Sequence, residues 1–70
     1  MTVKQIVESI HQETQIRIVE QIGGKEIVKF YQSDYEFMVQ TFAGTFEKLN
    51  KETVLWITAT AQNEIEIVIQ

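Results

Sequence analysis

Side chains able to do acid–base or metal chemistry are few in this 70-residue chain. One histidine, His11, and one aspartate, Asp34, stand beside nine glutamates, and there is no cysteine, which removes thiolate nucleophiles, disulfides and Cys-ligated zinc. Glu64 and Glu66, two apart, share one face of a strand and could hold a divalent cation. With His11 they make the alternative reading, a minimal carboxylate- or metal-dependent enzyme. No further ligand has matching spacing, and no serine pairs with His11 as a nucleophile–base dyad. At the end of a helix, His11 suits a solvated capping side chain that interacts with the helix dipole. Gly23-Gly24 lacks the rest of a phosphate-binding or dinucleotide fingerprint and reads as a turn. The sequence therefore predicts no catalytic residue, no cofactor and no metal site, and a protein that is not an enzyme.

Charge narrows the partners. Six Lys and Arg face ten Asp and Glu, for a net charge of −4. Arg17, Lys29 and Tyr31 share the outer face of one hairpin, but three such groups beside acidic neighbours such as Glu36 are too few for phosphate binding, so no direct nucleic-acid partner is expected. No apolar run approaches the roughly 18 residues of a membrane span, and an amphipathic helix begins directly after Met1. A cytoplasmic protein without a membrane partner is the expectation. Seventy residues make one domain, 1–70, with room for a single thin core.

The elements that must position these residues are mostly strands. Ten isoleucines and seven valines stand against two leucines and three alanines, and β-branched side chains suit a pleated surface. Val3, Ile6, Val7 and Ile10 give one helical stripe over residues 3–12, opened by a Thr2/Gln5 capping box. Residues 15–22 and 25–31 form a hairpin across Gly23-Gly24. A register with Ile18 opposite Phe30 avoids setting Glu20 against Glu26, and places Ile16, Ile18, Ile22, Val28 and Phe30 on one face. Residues 35–42 read two ways. As a strand they set Phe37 against Phe30 and Val39 against Val28. As part of a helix over 34–49, Tyr35, Met38, Phe42, Phe46 and Leu49 fall at helical spacing behind a Ser33/Glu36 capping box. Gly44 in a helix interior would cost about 1 kcal/mol, so the strand is preferred, followed by a helical turn at 46–50. Leu55, Ile57 and Ala59, then Ile65, Ile67 and Ile69, alternate as a second hairpin with Asn63 in the left-handed position, pairing Ala59 with Ile67 and Ile57 with Ile69.

The expected fold is α+β: an N-terminal helix on an antiparallel sheet of about five strands, in the order α-β-β-β-short α-β-β. A second full helix at about 34–49 in place of the third strand is the alternative. A sheet whose inward side holds Ile16, Ile18, Val28, Phe30, Phe37, Val39, Leu55, Ile57, Ile65, Ile67 and Ile69 leaves Val19, Ile27, Met38, Trp56 and Val68 on the other side. With Tyr31 these are the candidate interface residues, anchored by Trp56. Phe42, Phe46 and Leu49 folding over that side as a second small core is the competing account. The implied partner is a protein, either another chain or a second copy as a homodimer, with docking of a strand at a free sheet edge as a further route.

The opening Thr2-Val3-Lys4-Gln5-Ile6-Val7, the strand start Gln15-Ile16-Arg17-Ile18, the Phe42-Ala43-Gly44 step before Leu49 and the closing Ile65-Glu66-Ile67-Val68-Ile69 resemble small prophage and mobile-element proteins of Gram-positive bacteria. The resemblance carries core pattern and no functional residue. It implies a mobile-element setting, in which a small acidic interaction module would serve as an accessory protein or an inhibitor of a host protein, its acidic surface competing for a basic nucleic-acid groove.

Overall fold

Thr2 and Gln5 open the first helix as their spacing predicts. In the computed structural model, which describes residues 1–70, the Gln5 amide donates to Thr2 Oγ1 at 3.3 Å and the Thr2 amide donates to Gln5 Oε1 at 3.0 Å, closing the capping box. The helix, α1, runs Val3–Glu8 and stops short of residue 12. At Ser9 both the hydroxyl, at 2.7 Å, and the amide, at 3.0 Å, donate to the Ile6 carbonyl, a tighter spacing that ends the α-helical ladder. Val3, Ile6 and Val7 are buried, and Ile10 packs against them from beyond the helix end.

Four strands follow in two pairs, β1 (Gln15–Glu20) with β2 (Glu26–Tyr31), and β3 (Val54–Ala61) with β4 (Glu64–Ile69). Each pair is antiparallel. The two join through parallel pairing of β1 with β4, giving one sheet in the order β2-β1-β4-β3. The α+β class holds, with the N-terminal helix on one sheet face; the sheet has four strands and is mixed.

Residues 35–42 are the difference from the preferred reading, and they take the helical alternative. A 3-10 turn at Gln32–Asp34 leads into α2 (Tyr35–Thr41), then α3 (Ala43–Leu49). The spacing of Tyr35, Phe46 and Leu49 decides the outcome, because all three bury on the helical side of the sheet. Their rings do so together: Phe30 stacks on Tyr35 at 6.0 Å between centroids, and Phe46 meets both edge-on at 5.8 and 6.0 Å. A strand would instead have buried Phe37, which is exposed. The feared cost of Gly44 is avoided by breaking the helix. Phe42, at φ −119°, ψ 49°, separates α2 from α3 and puts Gly44 in the first turn of a new helix.

Both hairpin registers differ from expectation by two residues, a shift that keeps side chains on their predicted faces except where the strands are irregular. In the first, Ile16 lies opposite Phe30 and Ile18 opposite Val28, and an irregularity then places Val19 opposite Glu26. The Glu20 amide donates to the Lys25 carbonyl at 2.9 Å. The bulge therefore removes the Glu20–Glu26 clash by a means other than the predicted register. In the second hairpin Ala61 pairs with Glu64, so the loop is Gln62-Asn63 alone, with Asn63 left-handed as expected at φ 57°. Ile57 then faces Ile67 and Ala59 faces Ile65.

Helices cover only part of the sheet. Ile16, Ile18, Phe30, Ile67 and Ile69 join α1, Tyr35, Phe46 and Leu49 in one buried cluster. Val54 touches that cluster, but the rest of β3 lies outside it. Leu55 and Ile57, expected inward, are exposed. Leu55 sits in an irregularity between Val54 and Trp56, and Ile57 points to the helical side of an edge strand that no helix reaches.

Candidate interaction surface

The residues singled out for chemistry each take a different partner. His11 is exposed in the turn after α1, where its Nδ1 accepts from the Glu13 amide at 3.2 Å. Glu66 pairs with Arg17 on the neighbouring strand, and Glu64 accepts from the Thr60 hydroxyl at 3.0 Å. No three His, Asp or Glu side chains gather closely enough to hold a metal ion. The Arg17, Lys29 and Tyr31 group is also not a free basic patch, because Arg17 lies between Glu66 and Glu26, the latter at 3.9 Å.

One ionisable group is perturbed. Burial pushes the Tyr35 hydroxyl above the usual value of 10.0, and the nearby Glu8 carboxylate pushes it further; the hydroxyl donates to Asn50 Oδ1 at 2.5 Å. This phenol ties α2 to the end of α3 and stays neutral at ordinary pH.

The six candidate interface residues divide among three places. Ile27 and Met38 pack against the main core on the helical side. They leave the open face for two reasons: Ile27 falls in the β2 irregularity, and Met38 belongs to a helix rather than a strand. Val19 and Val68 are buried, yet lie outside the main cluster. They sit side by side across β1 and β4, and Val68 lies opposite Trp56 of β3. This row gives the uncovered face a small dry centre. Tyr31 is exposed at the far end of β2, two strands away from β4. Of the six, Trp56 alone is an exposed apolar side chain on β3.

Trp56 has neighbours that the sequence placed elsewhere. Leu55, Trp56 and Ile57 are 40%, 47% and 44% exposed, on three consecutive positions of one edge strand. Because strand side chains alternate, Trp56 stands on the open face and Ile57 on the helical face, so the apolar surface wraps around the edge. β3 is also the longest strand and carries no charged residue over Val54–Ala61. The opposite edge, β2, carries Glu26 and Lys29. An absence of charge in residues 54–61 reads from sequence as a covered strand; only the sheet order reveals it as an edge.

Backbone groups make the same distinction. Apart from its ladder with β4, β3 makes one backbone hydrogen bond, from the Val54 amide to the Met1 carbonyl at 2.8 Å, beside a Thr2–Thr53 bridge. Residues 55–61 have no backbone partner on their outer side.

Comparison of the chain with protein-family models, with curated proteins and with solved structures returns no match. No helix is long and apolar enough to cross a membrane.

Proposed function

We propose that this protein is a small acidic protein-interaction module without catalytic activity, and that it acts in the cytoplasm through the uncharged edge of its sheet. The observation that carries the reading is the exposure of Leu55, Trp56 and Ile57 on a strand whose outer edge is unpaired. Edge strands of natural sheets are commonly blunted with charge, and the partner edge here follows that rule. An edge that breaks it, with an indole and two aliphatic chains in solvent, offers both backbone hydrogen bonds and anchor side chains. A role as an accessory or inhibitor protein of a mobile element is the setting consistent with the core-pattern resemblance. The separate engagement of His11 with the Glu13 amide, Glu64 with Thr60 and Glu66 with Arg17 supports the non-catalytic part.

The test is retention of partner proteins, other chains or added copies, on the immobilised wild-type chain compared with Trp56→Ala. Loss of retained protein with an unchanged circular dichroism spectrum is the expected result. Equal retention by both, or none by either at high protein concentration, would contradict the reading.

A further inference from the structure

We propose that the occupant of the β3 edge is a second copy of this chain, paired antiparallel through residues 55–61 into a continuous eight-stranded sheet. The proposal rests on the interaction reading above and names its partner.

The open edge defines the pairing. Met1 and Thr2 close it at Thr53 and Val54, and the Gln62-Asn63 turn closes it at the other end. The seven residues left free are centred on Thr58. A two-fold axis normal to the sheet keeps each face on its own side, so paired residue numbers must add to an even sum. Centring the axis beside Thr58 meets that condition. It sets Thr58 against Thr58 of the second copy, Ile57 against Ala59 and Trp56 against Thr60. Each large side chain then meets a small one, the alternation that close packing across facing positions needs. The irregularities at Leu55 and Thr60 flank the centre, leaving Ile57 to Ala59 as its regular middle.

Charge permits the same arrangement, although each copy carries −4. No charged residue lies on β3, so no like charges meet across the axis. The carboxylate opposite Thr58 on the next strand is Glu66, already paired with Arg17. In the dimer the two β4 strands are three strand spacings apart, roughly 14 Å, beyond the screening length of about 8 Å at physiological salt. The β2 edge offers no such match, since Glu26 and Lys29 lie along it.

The chain contains no cysteine, so one introduced thiol reports one contact. Facing residues of an antiparallel pair have Cα atoms about 4.5–5.5 Å apart, within the span that a disulfide bridges. Thr58→Cys is expected to give a covalent dimer under mild oxidation, while Ile22→Cys, in the distant exposed turn, stays monomeric. Sedimentation of the wild type is expected to show a dimer, and Ile57→Lys and Thr58→Lys a folded monomer. A wild type that remains monomeric at about 1 mM, the weak end of the affinity scale, overturns the homodimer. If other proteins are then still captured through Trp56, the interaction reading survives that failure. A dimer that both lysine variants leave intact, or that links through Ile22→Cys as readily as through Thr58→Cys, overturns the edge placement.

Discussion

Tyr35 shows how one side chain joins core, cap and ionisation. Its ring packs between Phe30 and Phe46, and its hydroxyl donates to Asn50 beyond the end of α3. Tyr35→Phe keeps the ring and removes the hydrogen bond, leaving Asn50 Oδ1 without that donor. A loss of about 0.5–1.5 kcal/mol in denaturant unfolding is expected. The pH dependence follows from the direction of the shift. Because burial raises the folded-state value above 10.0, the unfolded chain gives up the phenolic proton first. Stability from this group is complete below pH 10 and falls as pH rises through the higher folded value. Unfolding midpoints followed above pH 10 are expected to fall less steeply for Tyr35→Phe than for the wild type; identical slopes would contradict the assignment. The position of Tyr35 was legible in the sequence as part of a helical stripe, but its contact with Asn50 joins residues fifteen apart through a helix break that no periodicity announces.

At the scale of elements, the capping box and the two alternating hairpins were readable because each is set by local chemistry, a side chain satisfying a nearby amide or a turn residue reaching a left-handed conformation. Residues 35–42 were not, because two periodicities coexist there and intrinsic propensity favoured the strand. Tertiary burial of Tyr35, Phe46 and Leu49 outweighed that preference, and the break at Phe42 removed the objection posed by Gly44. That break has a measurable consequence. Gly44 has ordinary helical backbone and open space where a Cβ would stand, so Gly44→Ala is expected to stabilise the protein by about 0.4–1 kcal/mol, read from the denaturant midpoint. Destabilisation would mean that α3 requires glycine there for a reason absent from its packing. The two-residue register shifts by themselves preserved the faces; the β2 bulge is what moved Ile27. The sheet order mattered more: parallel pairing of β1 with β4 puts the last hairpin's first strand at the rim, and this long-range contact has no signature in either strand.

For the whole molecule, 13 of 70 residues are buried and none of them is polar or charged. Three short helices roof the three strands β2, β1 and β4, and the fourth strand overhangs. The radius of gyration, 11.0 Å, is that of an ordinary compact chain of this length, so the overhang is a local feature of the rim. Strand alternation put Trp56 on the open face, where it is exposed. The exposure of Ile57 was not legible, because alternation says which face a residue occupies and not whether anything covers it. Ile27 and Met38 left the open face for other reasons, a bulge in β2 and a helix where a strand was preferred. The central claim, that the uncharged rim is where this protein associates, is tested most directly by amide hydrogen exchange followed as protein concentration rises. The outward amides within residues 55–61 are expected to gain protection while those of Glu26–Tyr31 do not. Exchange in β3 that stays independent of concentration, or protection that appears along β2 instead, would contradict the account.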